Sequence, residues 1–361
     1  MALLVVVTCG KNYSENLPTP EAAYKDKKFT ELFRRTSGWV AGDGATSIPL
    51  SDGRVLWLFG DSHIDDLDSA TGTIACLFQV RNAALLQNMN SLQFSRTLIS
   101  DEPHGKSFFK HPTDHSLWFW PVSGFQDGNS VYVYLTSLRR SGSGNFGFEV
   151  VGHYFGKIKF PEIKIVEYLP LPEFNGIDFG CGFVKDTSSY TLAFGSKLNG
   201  TQSSVYVARF RTSQPESSWA YWDGLSWNTN VPKASRIGQG AAPSLSVCKV
   251  KSKFVLISSE LSTRCDQGKE IYLSTSSSSN GPFSPRQKVF TVDDTVEGYH
   301  PFFYMPVGHP EFISAKNELL VTYSINGYEP CLPMCVKSRM NPDHYRPRAI
   351  RIPLKLIDPN F

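Results

Sequence analysis

Two aspartates flank one predicted β-hairpin and could do acid–base chemistry together. Asp43 precedes the apolar run 47–50, and Asp61 follows the apolar run 55–59. The intervening Ser-Asp-Gly-Arg predicts the turn, because Asp-Gly accepts the positive φ of tight hairpins. If the two runs pair, both carboxylates lie at the open end of the hairpin. Hydrolysis of a glycosidic bond requires such a pair of carboxyl groups.

The same pattern of an apolar run, a turn and a β-branched or aromatic run occurs five times. The copies begin near residues 43, 118, 178, 242 and 309, at spacings of about 60 to 75 residues. No segment keeps a helical apolar period for long, so the chain is predicted to be mostly β. The repeats predict an all-β fold, a five-bladed β-propeller with four strands per blade. A two-sheet sandwich is the competing architecture and explains the regular repeat less well.

Carboxylates from several repeats are expected to meet at one mouth of the central channel. Each hairpin would supply the two innermost strands of its blade, so the open ends of all five hairpins line that mouth. The candidates for catalysis are Asp43, Asp61, Asp178 and Glu311. Repulsion among four carboxylates raises the pKa of at least one, which gives the mixed protonation that a general acid and base need.

Three further residues are candidates for substrate binding at the same mouth. Trp120 could stack on a sugar ring, Glu260 ends an apolar strand, and His309 belongs to the rigid element His309-Pro310-Glu311. Each has a structural alternative, which is core packing for Trp120, a pair with Arg264 for Glu260 and a capped strand start for His309. For the aspartates the alternative is the capping of turns.

Composition favours a globular β protein without a nucleic-acid partner. The chain has 361 residues, 41% hydrophobic content and a formal net charge of only +3. A nucleic-acid binder would require a clustered basic face. Aromatic residues make up 13% of the chain and suit both β-strands and the apolar faces of sugars.

The first residues resemble an export signal. Residues 1–12 contain an apolar run that stops at Cys9, like the end of a bacterial lipoprotein signal whose cysteine carries the lipid. The alternative is an ordinary first strand. We expect an exported protein of the cell envelope, periplasmic or anchored to the outer membrane, with residues 13–361 forming a single propeller domain and the protein a monomer.

The sequence contains no pattern for other common chemistries. It lacks a phosphate-binding loop, a Gly-x-Ser-x-Gly elbow and a zinc helix, and no cysteines have metal-ligand spacing. We expect no catalytic metal and no required cofactor, although a structural calcium ion elsewhere in the channel stays open. Cys331 and Cys335 are close enough to pair, but unpaired buried thiols are the expectation.

Several segments together resemble a family of bacterial five-bladed propeller proteins, one branch of which is grouped with endo-D-arabinanases. These segments are the run 39–62, the segment 81–87, the run 118–121, the element 221–227 and the segments 309–311 and 320–326. The resemblance implies a propeller glycoside hydrolase acting on a furanose-containing or related polysaccharide, with Asp43 and Asp61 as the leading catalytic pair. Asn82, in the second segment, is assigned to substrate binding.

Two alternatives to an exported glycoside hydrolase remain. The first is a carbohydrate-binding propeller that keeps the fold without the chemistry, and the second is a scaffold for protein partners. If the acid and base face each other across the channel, the reaction inverts the anomeric configuration. We favour this inverting course. If Asp43 and Asp61 are themselves acid and nucleophile, their adjacent positions make retention natural.

Overall fold

The chain folds into a ring of five antiparallel sheets. The computed structural model describes residues 21–361 except residues 92, 101–105, 143–146, 188, 201, 261–268 and 328–333. The inner strands of successive sheets pack against one another around a central axis, and hydrogen bonds from blade five to blade one close the ring. The fold is a five-bladed β-propeller, which confirms the prediction.

The blades are given from inner to outer strand. Blade one contains Thr46–Pro49, Arg54–Phe59, Ala83–Asn88 and Phe94–Leu98. Blade two contains Trp118–Asp127, Ser130–Arg140, Phe148–Lys159 and Lys164–Pro170. Blade three contains Asp178–Lys185, Tyr190–Asn199, Gln202–Arg211 and Ala220–Trp222, extended by Trp227–Asn228 and Gly238–Gly240. Blade four contains Leu245–Val250, Lys253–Ser259, Glu270–Ser276 and Gln287–Thr291. Blade five contains Phe302–His309, Glu318–Asn326, Arg348–Pro353 and Tyr24–Lys25.

Short elements lie outside the blades. Two ribbons pair Trp39–Gly42 with Ser62–Ile64 and Ile74–Ala75 with Arg339–Met340. One α-helix spans Lys27–Glu31, and single 3-10 turns span Val231–Lys233, Pro310–Phe312, Pro342–Tyr345 and Leu354–Leu356. No helix among the described residues has the length and apolar character needed to cross a membrane.

Blade five joins residues from both ends of the described chain. Tyr24 pairs with Arg351 in the outermost ladder, and the Asp26 carboxylate accepts a hydrogen bond from the Arg351 guanidinium at 2.8 Å. The early strand thereby covers an edge that would otherwise present unpaired backbone groups. Closing the ring in this way holds blade one, which carries Asp43 and Asp61, against blade five.

The hydrophobic cores lie between blades. Ile48 and Leu56 of blade one pack with Phe119 and Val131 of blade two in one buried cluster. Similar clusters fill the other interfaces between neighbouring blades. Because each sheet is buried on both faces, its central strands are continuous apolar runs without alternation, as 55–59 shows. Rigid packing on both sides fixes the inner strands that reach the mouth.

The fifth repeat begins earlier than the sequence pattern predicted. Its inner strand is Phe302–His309, with Phe302 opposite Asn326 and His309 opposite Leu320. The predicted hairpin of 309–313 with 318–324 was wrong, because the register shifts between Tyr304 and Val307, where Met305 has a φ of 51°, and this bulge hides the strand alternation. His309 therefore ends the inner strand instead of starting it.

A disulfide joins two distant parts of the chain. Cys76 and Cys335 are bonded across 259 residues of sequence, with Cα atoms 5.6 Å apart. The expectation of unpaired thiols was wrong for these two, because the fold brings together residues whose sequence positions suggest no pairing. Cys181 and Cys248 are free thiols. Residues 1–12, predicted to be an export signal ending near Cys9, lie outside the described residues, as do Cys265 and Cys331.

Candidate active site

Asp43 and Asp61 face each other at the open end of the blade-one hairpin. Thr46 pairs with Leu58 inside the blade, and Gly42 pairs with Ser62 in the ribbon beyond it. Both ladders follow the same register. When this register is continued through the break between them, Asp43 falls opposite Asp61. Asp43 lies close enough to Asp61 for its charge to raise the pKa of Asp61. The hairpin thus sets the two carboxylates side by side.

The break between the two ladders contains a strained backbone. Gly44 and Ala45 have φ values of 99° and 49°, and Ala45 is fully buried. A left-handed alanine is uncommon and persists only where its surroundings enforce it. The Ser324 hydroxyl of blade five accepts a hydrogen bond from the Gly44 amide at 3.0 Å. This strain turns the chain so that Asp43 projects at the mouth.

Asp61 is a buried carboxyl with a strongly raised pKa. It is only 9% exposed, and its two oxygens accept hydrogen bonds from Trp120 Nε1 at 3.1 Å and from the Arg81 guanidinium at 3.3 Å. Burial, and then the negative charge of Asp43, raise the pKa of Asp61 to about 7, although Arg81 and Trp120 lower it. Asp61 therefore holds a proton up to neutral pH.

Asp43 has a different environment. Burial raises its pKa, while hydrogen bonds from the hydroxyls of Tyr304 and Tyr345 lower it; the Tyr304 hydroxyl lies 2.7 Å from Asp43 Oδ2. Burial and the Asp43 charge raise the pKa of both phenols well above the ordinary value, so they remain donors. The net effect raises the pKa of Asp43, and the two phenol donors favour its ionised form, so the two carboxyls have different hydrogen-bond partners.

Gly60 leaves room for the Asp43 carboxylate. Its amide donates to the Asp43 carbonyl at 2.9 Å, and a Cβ atom at Gly60 would lie 2.5 Å from Asp43 Oδ1 and 3.9 Å from Trp120 Cδ1. Any side chain at position 60 would occupy the space between the carboxylate and the indole. The glycine is needed here for close approach.

Gly60→Ala is expected to lower kcat/KM about 100-fold while the protein still folds. The methyl group must displace the Asp43 carboxylate, and a misplacement of about 1 Å can cost 10²-fold. Steady-state kinetics on the best substrate and thermal denaturation of both proteins would measure this. Gly53→Ala is the control for steric crowding, because a Cβ at Gly53 meets nothing within 4 Å, although its φ of 83° adds backbone strain far from the mouth. Full activity of Gly60→Ala would contradict the assigned position of Asp43.

Aromatic side chains surround the carboxylate pair. The Arg81 guanidinium lies over the Trp118 ring at 4.2 Å and over the Phe78 ring at 4.8 Å, which holds its charge in place beside Asp61. Trp120 contacts Phe148 edge-on at 4.7 Å. The exposed parts of such rings suit the apolar faces of sugars. The Trp120 indole N–H donates to Asp61, which places the ring beside the carboxylate pair, and its part in substrate binding stays a prediction.

Asp178 and Glu260 lie at the corresponding ends of blades three and four and have hydrogen-bond partners of their own. Asp178 starts the inner strand of blade three, where its carboxylate accepts a hydrogen bond from the Gly180 amide at 3.1 Å. Burial and then the negative charge of Asp178 raise the pKa of the Tyr134 hydroxyl. Glu260 follows the second strand of blade four and accepts from the Tyr272 hydroxyl at 3.0 Å. The expectation that both carboxylates join Asp43 and Asp61 finds no contact to support it among the described residues.

Asn82, His309 and Glu311 occupy structural positions. The Asn82 amide is fully buried, donating to the carbonyls of Phe109 and Phe119 and accepting from the Phe109 amide. His309 is also fully buried and contacts the Ser47 and Thr322 hydroxyls. Glu311, which accepts from the Ser47 hydroxyl, follows the far end of the inner strand, away from the mouth.

Three residues that the sequence analysis did not assign complete the site. They are Arg81, Tyr304 and Tyr345. Tyr304 could have been found from the repeats if the fifth had been placed at its inner strand. Tyr345 lies in a 3-10 turn outside the repeats, and Arg81 precedes a third strand, so neither carried a positional signal. The part of the chain that the structure describes holds no group of three or more His, Cys, Asp and Glu that could bind a metal; a structural calcium ion stays a prediction.

Known proteins share this fold. A family model described as "Domain of unknown function (DUF5005)" matches residues 26–354. A candidate hydrolase from Bacteroides ovatus is 20% identical with a TM-score of 0.73, and the match covers 91% of this chain and 90% of that one. An exo-beta-1,3-galactanase from Phanerochaete chrysosporium, solved with beta-1,3-galactotriose, is 11% identical with a TM-score of 0.50. That match covers 90% of this chain and 64% of the galactanase chain. No curated protein sequence matches the chain. At these identities the structural likeness establishes the fold.

Proposed function

We propose that this protein, which belongs to the DUF5005 family, is a glycoside hydrolase with Asp61 as general acid and Asp43 as nucleophile. The observation that carries the proposal is the pair of opposed aspartates with unequal environments. Asp61 has a pKa of about 7 and can give a proton to the leaving oxygen, whereas Asp43 accepts hydrogen bonds from two phenols that favour its ionised form. Glycosidases divide acid and nucleophile between two carboxyls in this way.

The reaction proposed here proceeds in two steps. Asp43 attacks the anomeric carbon while Asp61 protonates the departing oxygen, so the glycosidic bond breaks as the Asp43–sugar ester forms. Asp61, now ionised, then takes a proton from water, whose oxygen attacks the same carbon and releases Asp43. The opposed register of the two residues favours this retaining course over the inversion that the sequence analysis favoured, because retaining carboxyls lie about 5–5.5 Å apart.

The substrate proposed is a furanose-containing or related polysaccharide. Support comes from the aromatic surfaces at the mouth and from the similar fold of a galactanase that holds a galactotriose. We further propose that the protein is exported, a monomer and lipid-anchored through Cys9. The Cys76–Cys335 disulfide supports export, since such bonds persist in oxidising compartments.

Release of reducing ends from a panel of arabinans, xylans, galactans and fructans would test the proposal. We expect turnover of at least one polymer by the unmodified protein and none by the double variant Asp43→Asn, Asp61→Asn. Binding measured on the same panel separates the alternatives. Binding of a glycan without turnover across the panel would favour the carbohydrate-binding propeller and contradict the enzyme.

Arg81→Gln is expected to move the alkaline limb of the pH–rate profile to higher pH. The guanidinium lowers the pKa of Asp61, so its removal raises that pKa, and the acid keeps its proton at higher pH. Profiles of kcat/KM between pH 4 and 10 would measure the limb. Arg81→Lys preserves the charge and serves as the matched control, with a smaller displacement expected. If the alkaline limb of Arg81→Gln is unchanged, Arg81 does not influence the pKa of Asp61, which contradicts the prediction.

A further inference from the structure

A second concave surface lies on the flank of the propeller, away from the mouth. This groove, of about 620 Å³, separates the outer strands of blade one, Phe94–Leu98, and blade two, Lys164–Pro170. Ligand sites commonly have volumes of about 300–1,000 Å³. Three strand spacings of about 4.8 Å separate an outer strand from the inner strand of its blade, so the groove is distinct from the Asp43–Asp61 site.

The floor of the groove is apolar and partly strained. Ile99 and Ile165 are half-buried and line it, and Leu98 and Ile163, which are 3% and 5% exposed, belong to the core between blades one and two. Ile163 has a φ of 56°, a conformation that is an outlier for a β-branched residue. Such strain concentrates at binding and catalytic sites. Here it places the Ile163 side chain in the floor while its neighbour Lys164 reaches the rim. Phe108 adds a half-buried aromatic ring to the lining.

The rim of the groove is cationic. Arg96 and Lys164 line it, and Glu162, the one acid among the described lining residues, lies 2.8 Å from Lys159 in an ion pair. Arg96 and Lys164 are exposed on opposite walls, and over the described part of the chain neither has an ion-pair partner. The chain as a whole has a net charge of only +3, so this is a local concentration of positive charge. The Arg96 and Lys164 side chains can donate charge-assisted hydrogen bonds to carboxylate or sulfate groups.

We infer that the groove binds an acidic oligosaccharide, with Arg96 and Lys164 holding its anionic groups and the apolar floor and Phe108 contacting the sugar rings. A small inorganic anion would use the cations alone and leave the apolar floor unused. A neutral oligosaccharide would use the floor and leave the two cations unpaired. The site takes no part in bond cleavage and would hold a polymer against the flank of the propeller, apart from the catalytic mouth.

Calorimetric titration of the full chain carrying Asp61→Asn would test this without turnover, with trigalacturonate, galactotriose and inorganic phosphate as probes. We expect trigalacturonate to bind at least about tenfold more tightly than either other probe, and its Kd to rise about tenfold or more in the Arg96→Gln, Lys164→Gln variant. The matched control is Lys233→Gln, Arg236→Gln, which removes the same two residue types from an exposed connection that follows Trp227–Asn228 and should leave Kd unchanged.

Two measurements keep the inference open to contradiction if the groove variant folds poorly. Binding of trigalacturonate to the otherwise unmodified chain should weaken steeply between 50 mM and 500 mM salt, because the contact is ionic. Thermal denaturation of both double variants would establish that they fold. Equal affinity for galactotriose, equal affinity for phosphate or an equal loss in the control variant would each overturn the inference. Because binding is read without turnover, these outcomes are independent of whether the protein hydrolyses a glycoside.

Discussion

Asp61→Asn is expected to lower kcat/KM on a polysaccharide by about 10²- to 10⁴-fold. The amide cannot give a proton to the leaving oxygen, whereas Asp61, with a pKa of about 7, can. An aryl glycoside with a dinitrophenol leaving group needs no such proton, so the variant should retain most of its kcat/KM on it, while its kcat falls because Asp61 is also the base of the second step. Kinetics on both substrates would measure the difference. An equal loss on both would show that Asp61 is not the acid.

The stability of the same variant provides a control that does not depend on activity. An unfolded aspartate titrates near pH 4, but folded Asp61 titrates near pH 7, so the folded state of the unmodified protein binds the extra proton between those values. Stability from this group is present below pH 4 and is lost as pH rises to 7. Asparagine does not titrate, so the variant does not lose stability over this pH range. The Tm of the variant should therefore rise relative to that of the unmodified protein as the pH increases from 4 to 8. A constant difference would mean that Asp61 is not buried as a protonated carboxyl.

The blade-one hairpin could be predicted from sequence because local chemistry determines it. A single turn at 51–54 and two apolar runs fix the register, and the register alone sets Asp43 opposite Asp61. The repeats likewise predicted five blades, because each blade must present an apolar run to both neighbours. Where a bulge interrupted the alternation, at Met305, the same reasoning misplaced the strand and with it His309 and Glu311.

The environment of the pair depends on contacts that no local pattern encodes. Tyr345 reaches Asp43 across about 300 residues of sequence, and the charge of Arg81 beside Asp61 comes from the approach to a third strand. The Cys76–Cys335 bond has the same origin in long-range packing. Asn82 was assigned to substrate binding because it lies near site residues in the sequence. Its side-chain amide instead donates hydrogen bonds to the backbone carbonyls of Phe109 and Phe119.

Asp43→Ala is expected to lower kcat/KM by about 10⁴-fold or more, because removal of a nucleophile abolishes the covalent step. The space left by the carboxylate would admit azide, which attacks the anomeric carbon from the same face. With a dinitrophenyl glycoside, azide should restore turnover and give a glycosyl azide of inverted configuration. Asp61→Ala, the matched variant, keeps the nucleophile and should give a glycosyl azide of retained configuration.

The unmodified protein should release its first product with the anomeric configuration of the substrate. Two displacements at one carbon restore the starting configuration, and retaining sites hold their carboxyls about 5–5.5 Å apart, whereas inverting sites hold them about 6.5–9.5 Å apart to admit a water. Proton NMR of the product before mutarotation would identify the anomer. An inverted first product would make Asp43 a general base that activates water, and the azide product of Asp43→Ala would then lose its diagnostic value.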